Sequence, residues 1–235
     1  MSREIANDII VSARLKAIEE ALKLVKDGML IGLGSGTTLR LFIEKLAERV
    51  KSEEIEIHFV STSYDTSLLA SRLGLIERPL LDEEPEISFD GADYVFPEKW
   101  IVKGLGGALF REKIVDYFSK QYIIMVDWKK IREKPLGIKI PLEVHPFAVR
   151  QVISTLSGIH GVLEASLRMS REGKLGPIVT DNGNFIVDTT FEMIESPEEL
   201  EKYLMSIPGV LSNGIFSLKR PSKILIGYPD TLKII

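Results

Sequence analysis

The sequence predicts an α/β protein: a Rossmann-like parallel-sheet domain plus a smaller ferredoxin-like α+β domain. Three observations lead there. Through the first half, short apolar runs alternate with segments of helical period, the pattern of a parallel sheet covered on both faces. Beyond about Lys130 the order becomes βαββαβ, that of a ferredoxin-like unit. The tail then supplies one more buried run, "KILIGY", suited to return to the first sheet. The larger domain is accordingly assigned to residues 1–130 and 208–235, and the smaller to 131–207.

The elements follow in order. "SARLKAIEEALKLVKDG" is an amphipathic helix, with Gly28 as its expected C-terminal cap. "MLIGLG" reads as a buried strand. A helix from about Thr38 to Val50, a strand "IEIHFVS" and a helix from about Asp65 to Leu73 come next. "EISFDGAD" starts as a strand and ends in a turn, "KWIVKG" is a short strand, "LFREKIVDYFSK" a helix and "YIIMVD" a buried strand. In the second region "GIKIPLEV", "VLEASLRM", "PIVT" and "FIVDTTF" read as strands, the last two around the turn "DNGN". "PFAVRQVISTL" is a helix with Pro146 in its first turn. "SPEELEKYL" opens on a capping box, with Ser196 as N-cap, Pro197 at the first helical position and Glu199 three residues on. A strand around "GVLSNGIF" follows.

Composition removes several classes of function. The chain of 235 residues has no cysteine, which excludes disulfides, thiol nucleophiles and thiolate metal sites. His58, His145 and His160 are scattered, so no histidine cluster offers a metal site, and none is expected. The net charge of −4 comes from well-mixed charges without a basic stripe, which argues against nucleic acid. There is no run of eighteen apolar residues to span a membrane. "MSREIANDII" lacks the basic start and apolar stretch of a secretory signal. A cytoplasmic protein is the expectation.

The stretch most suggestive of chemistry is "GLGSGTT", residues 32–38, between a strand and a helix. A dinucleotide fingerprint needs a third glycine where Thr37 stands, and an acid at the end of the next strand, which instead ends "FVSTS". A triphosphate loop needs Gly-Lys-Ser/Thr, which is absent. What remains is a small-residue turn at a helix N-terminus, where unsatisfied N–H groups and the helix dipole favour an anion. Ser35, Gly36, Thr37 and Thr38 suit a compact phosphate monoester; the plainer reading is a glycine turn with threonine caps. "STSYDTS", residues 61–67, is a second hydroxyl-rich turn expected beside the first at the carboxyl edge of the sheet.

Two further motifs join these. "DGAD" places Asp90 and Asp93 around Gly91 and Ala92 at a strand end, where they could bind a metal, poise protons or close an Asx turn, the commonest use. "KGLGGALFREK" follows Lys103 with a pliant loop, Gly104, Leu105 and Gly106, and then sets Glu112 in the first turn of a helix, off its apolar face. A lone Glu there is ordinarily a dipole partner. Converging on one sheet edge, the set offers a phosphate cradle, paired carboxylates, a lysine and a further carboxylate, with no cofactor motif. That suits proton transfer beside the carbonyl of a sugar phosphate.

In order along the chain, "GLGSGTT", "STS", "DGAD", "KGLGGAL", "REK", "PLEV" and "VTDNGN" resemble type A ribose-5-phosphate isomerase, from about residue 20 to the end. The resemblance implies interconversion of ribose 5-phosphate and ribulose 5-phosphate through an enediol(ate), in the non-oxidative pentose phosphate pathway, with no cofactor and no metal. It implies Glu112 as base, Asp90, Asp93 and Lys103 as further catalytic groups, and Ser35 to Thr38, the 90–93 and 103–106 segments and Lys130 as substrate-binding. It also implies a homodimer or homotetramer. Leu105 and Phe110 depart from the common Gly and Thr, and Tyr94 follows "DGAD" in place of an acid. A sugar-phosphate-binding regulator of the same fold, without turnover, and an isomerase of six-carbon sugars remain as alternatives.

Overall fold

The computed structural model describes residues 3–80, 83–170, 173 and 175–235. Its elements are α1 (Arg3–Leu22), β1 (Leu30–Leu33), α2 (Thr37–Glu53), β2 (His58–Ser61), α3 (Tyr64–Arg72), β3 (Ile76–Glu77), β4 (Ile87–Asp90), β5 (Tyr94–Val95), β6 (Ile101–Val102), α4 (Leu109–Phe118) and β7 (Gln121–Asp127). After it come β8 (Leu136–Val144), α5 (Val149–Ser157), β9 (Val162–Leu167), β10 (Phe185–Met193), α6 (Pro197–Ser206), β11 (Val210–Asn213), β12 (Ile215–Phe216), β13 (Lys223–Gly227) and β14 (Leu232–Ile234). The chain divides into two compact units. One comprises residues 1–92, 114–131 and 221–235; the other comprises 93–113 and 132–220.

In the first unit, among the described residues, seven strands run in the order β14-β13-β7-β4-β1-β2-β3. All neighbours are parallel except β13 and β14. A parallel sheet covered on both faces needs strands apolar on both sides. Accordingly β7 is buried at every position but its first. The chain runs outward from β1 to β2 and β3, then crosses back to β4 on the other flank of β1. The direction therefore switches between β1 and β4, and ligands of such sheets bind outside the carboxyl ends at that switch. The core beneath is close-packed: the rings of Phe42 and Phe89 lie 4.7 Å apart, among Ile31, Leu33, Leu39, Leu46 and Ile123.

The second unit carries an antiparallel sheet in the order β11-β8-β10-β9. Counted within βαββαβ this is 4-1-3-2, the ferredoxin-like arrangement expected from the sequence. A second sheet, β12-β6-β5, is also antiparallel. The unit's own core gathers Val102, Ile138, Ile140, Leu142, Val152, Phe191 and Leu204. Phe96 stacks on Trp100 with centroids 3.8 Å apart.

Several expectations are corrected. Residues 93–113 and 208–220, assigned from the sequence to the larger domain, belong to the second unit. The reason is strand pairing: β6 hydrogen-bonds with β5 on one side and with β12 on the other rather than with the parallel sheet. Gly28 has φ +78° but caps no helix, since α1 stops at Leu22 and the N–H of Gly28 bonds Glu56 instead. Ser196 is the N-cap of α6 without a side-chain hydrogen bond, although Pro197 takes the first helical position as expected. Pro146 opens a short 3₁₀ turn ahead of α5. "PIVT" forms only isolated bridges, Met169 with Pro177 and Val179 with Phe185. "GVLSNGIF" is two strands, broken where the Asn213 side chain accepts from the N–H of Ile215. The tail strand does return to the first sheet, as β13 beside β7.

The fully buried Phe42 tests this core. Phe42→Ala should cost about 3–5 kcal/mol of unfolding free energy, read by denaturant titration; a cost under about 1 kcal/mol would contradict the packing described.

Candidate active site

The turn after β1 is built by contacts within the first unit. Gly34 donates to the carbonyl of Phe89 at 2.9 Å, and the N–H of Ser35 reaches Asp90 Oδ1 at 3.3 Å. Gly91 donates to the same oxygen at 2.7 Å. A Cβ on Gly34 would sit 2.0 Å from Asp90 Cγ, so the buried carboxylate can come this close only to glycine. This close approach is what Gly34 serves, while Gly32 admits Val115 and Ser88. Gly36, at φ +97°, is the N-cap of α2 and makes no side-chain cap bond, leaving the first-turn N–H groups directed outward. Thr37 is exposed and Thr38 half-buried.

The second hydroxyl-rich turn lies beside the first, as expected. Ser35 Oγ is 3.3 Å from Thr62 Oγ1, and Thr66 donates to the carbonyl of Gly34 at 2.7 Å. Ser63 accepts from the N–H of Thr66 and so caps α3. A residue that the motif reading passed over completes the turn: Arg14, on α1, donates to Thr37 Oγ1 at 3.2 Å and to Asp127 Oδ2 at 2.9 Å. Asp127 ends β7, and Lys130 follows in the 3₁₀ turn Trp128–Lys130.

Lys103 and Glu112 belong to the second unit. The expectation that all the motifs share one sheet edge is thus corrected: β6, which leads to Lys103, lies in the three-stranded sheet. Lys103 Nζ stands 3.4 Å from Glu112 Oε1, and the two residues are only 2% and 5% exposed. Burying an isolated ion costs several kcal/mol, so each charge depends on the other. The Phe216 ring lies under Lys103 Nζ at 5.8 Å. Asp93 accepts the N–H of Leu105 at 2.9 Å and so fixes the glycine loop. Gly104, at φ +91°, could take no side chain, since a Cβ would meet that of Leu109 at 2.5 Å. Leu105 has no positive φ and needs no glycine. Its carbonyl accepts from Arg168, which pairs with Asp188.

The residues flanking Glu112 are clamped separately. Arg111 donates to Asn182 Oδ1 at 2.8 Å and to the carbonyl of Asp181 at 3.0 Å. The Asn182 amide, with Thr180 and Asn184, donates to buried Glu143 Oε1. This network absorbs the "PLEV" and "VTDNGN" motifs, and it recruits the backbone that would otherwise continue "PIVT" as a strand. Lys113 Nζ bonds Glu201 Oε1 at 2.7 Å and the carbonyl of Ile215 at 2.6 Å, over the Phe216 ring at 4.7 Å. Burial pushes the Lys113 ammonium below its ordinary range, and the Glu201 charge opposes that push. Burial raises Glu201, but Lys113 and the N–H groups of Ser217 and Leu218 outweigh it and hold the carboxyl below the usual range. The Glu201 direction governs the pair, because its second oxygen keeps donors of its own.

Residues 58–231 match the family model of ribose 5-phosphate isomerase A, also called phosphoriboisomerase A. The chain belongs to the ribose 5-phosphate isomerase A family. A ribose-5-phosphate isomerase A of Methanococcus aeolicus is 42% identical, over 100% of this chain and 99% of its own. The structure of ribose 5-phosphate isomerase A from Methanocaldococcus jannaschii superposes with a TM-score of 0.90 at 40% identity, covering 95% of this chain and 97% of that one. A D-ribose-5-phosphate isomerase in complex with phospho-erythronic acid superposes at 0.91 with 38% identity, covering 96% and 98%. As a member of this isomerase family the chain is an aldose–ketose isomerase of ribose 5-phosphate and ribulose 5-phosphate. Arg14 and Glu201 lie outside the site motifs, and Arg111 and Lys113, though part of "REK", are not assigned a role by them, because their partners are up to 113 positions away.

Among the described residues no three His, Cys, Asp or Glu side chains gather closely enough to hold a metal ion, and no helix is long and apolar enough to cross a membrane. Glu201 gives a pH test. Its folded-state value lies below the unfolded one, so it adds stability above about pH 4.3 and loses it as pH falls through the carboxylate range. The Tm advantage of the parent over Glu201→Gln should be greatest near neutrality and shrink on acidification; an advantage that widens towards low pH would contradict this assignment.

Proposed function

We propose that Glu112 is the general base of the isomerisation, taking the proton from C2 of ribose 5-phosphate and returning it to C1 through an enediol(ate). The observation that carries this is the buried contact between Lys103 and Glu112. One carboxylate must serve both carbons from one face, and the charge that develops on the substrate oxygens needs a cation beside it. Lys103 is that cation. A binding-only regulator needs a phosphate turn but has no use for a buried carboxylate–ammonium pair.

The other roles follow from what each group touches. Ser35, Gly36, Thr37 and Thr38 take the phosphate on the first-turn N–H groups and hydroxyls, with the Arg14 guanidinium at Thr37 adding positive charge. Lys130, just past the carboxyl end of β7, adds a further cation for the substrate. Asp90, engaged by Ser35 and Gly91, holds the phosphate turn in shape. Asp93 holds the Gly104–Leu105–Gly106 loop and passes the proton between O1 and O2. Gly91 and Ala92 space the two carboxylates. Phospho-erythronic acid, named in the related complex, is a phosphorylated four-carbon acid whose planar carboxylate resembles a C1–C2 enediolate, the species this arrangement stabilises. No step calls for a cofactor or a metal.

The pathway is the non-oxidative branch of pentose phosphate metabolism, and the setting is the cytoplasm. We also assign a homodimer or homotetramer: β9 is an edge strand, and Leu163 on it is exposed, as are Met169 and Val179. Light scattering reads that state, and a monomer at working concentration would overturn it.

Glu112→Gln keeps size and removes the base. It should leave a folded protein with kcat lower by at least about 10²-fold; near-normal turnover would remove Glu112 from the role. Thr37→Ala with Thr38→Ala should chiefly raise KM, each lost bond to a charged group being worth roughly 1.5–3 kcal/mol. An unchanged KM would make the turn purely structural.

A further inference from the structure

Lys113 stands next to the base on α4, yet its ammonium goes elsewhere. It is largely buried, bonded to Glu201 Oε1 at 2.7 Å and to the Ile215 carbonyl at 2.6 Å, with Asn213 Oδ1 at 3.5 Å. Glu201, on α6, is 1% exposed. Its Oε2 collects the N–H and Oγ of Ser217, each at 2.8 Å, and the N–H of Leu218 at 3.0 Å. Asn213 Nδ2 donates to the Glu201 carbonyl at 3.1 Å. This one carboxylate therefore grips both the first turn of α4 and the segment that contains β12.

That segment is what sets Lys103. β12 pairs with β6, Ile215 opposite Val102 and Phe216 opposite Ile101. The N–H of Lys103 donates to the carbonyl of Gly214 at 2.9 Å. Gly214 itself admits no side chain, since a Cβ would lie 2.4 Å from the carbonyl oxygen of Lys103. The Phe216 ring lies under both ammonium groups, at 5.8 Å from Lys103 Nζ and 4.7 Å from Lys113 Nζ. The end of β6 and the start of α4, already joined by the 103–108 loop, are thus also referred to one anchor.

We infer that Lys113 and Glu201 are a positioning pair for the reaction, fixing the separation between the Glu112 carboxylate and the Lys103 ammonium through the Glu201–Lys113 ion pair and the β12 segment. The inference rests on Glu112 being the base. Stability alone does not account for the pair, because a buried ion pair is commonly matched or bettered by apolar residues of similar volume. What an apolar replacement cannot supply is direction. The ammonium has acceptors at fixed angles, whereas methylene contacts let the helix turn slide by fractions of an ångström. Misplacement on the order of 1 Å costs about 10²-fold in rate.

The test uses the full chain and ribose 5-phosphate. Lys113→Met, Glu201→Gln and the double variant Lys113→Met with Glu201→Gln are compared with the parent for Tm, kcat and KM, well below every Tm. The single variants should lose at least about 10-fold in kcat with KM within about twofold. The double variant, with no unpaired charge left buried and an amide oxygen still placed to accept from Ser217 and Leu218, should recover the Tm lost by the single variants but not the kcat. A double variant that recovers kcat with Tm would overturn the inference, as would single variants with lowered Tm and unchanged kcat, or a loss confined to KM. Should a single variant not fold, the double variant alone decides on the same criterion. A failure of the underlying reading is distinguishable: the parent would then be inactive on ribose 5-phosphate, or Glu112→Gln would match it.

Discussion

The buried contact between Lys103 and Glu112 is the constraint on which the rest of the second unit depends. Neither charge is tolerable alone at that depth, since the desolvation of each ion costs several kcal/mol. The pair therefore has to be held together, and the local architecture does so from both sides. β6 delivers Lys103 and is pinned by β12; the first turn of α4 delivers Glu112 and is pinned by Arg111 and Lys113. Asp93 and Arg168 bind the loop that joins them. Such a network lowers the freedom of the two side chains, and preorganisation of that kind is where enzymes gain much of their rate.

The first unit builds the turn after β1, to which we assign the substrate phosphate, mostly with backbone. Gly34 lets Asp90 approach, Asp90 orders the N–H of Ser35, and Gly36 starts α2 without a side chain over its first turn. The strand order puts these parts next to each other, because β1 and β4 flank the point where the chain reverses its march across the sheet. The hydroxyls after β2 and the Arg14 guanidinium then line the same turn.

Much of this is legible in the sequence, for physical reasons that differ by element. Buried parallel strands such as "YIIMVD" announce themselves as apolar runs, and the βαββαβ order predicts the ferredoxin-like sheet. The glycine–hydroxyl turn is legible because glycine alone allows the Gly34–Asp90 approach and best suits the positive φ of Gly36. The assignment of residues 93–113 is not legible, because two-residue strands carry no period, and their pairing with β12 is a tertiary choice. Gly28 illustrates another limit: a glycine with positive φ marks a turn without saying which helix it ends. Lys113 and Glu201 lie in helices where charged residues ordinarily face solvent, so burial alone reveals them. Leu105, where many members of the family have Gly, adopts ordinary backbone geometry and needs none.

In the proposed reaction Glu112 moves the C2 proton with Lys103 beside it. Release of deuterium from ribose 5-phosphate labelled at C2 into solvent water measures that step apart from net turnover. The account predicts ready release with the parent, much slower release with Lys103→Met, and none above background with folded, substrate-binding Glu112→Gln. Release by Glu112→Gln at the parent's rate would contradict the account and place the base on another residue.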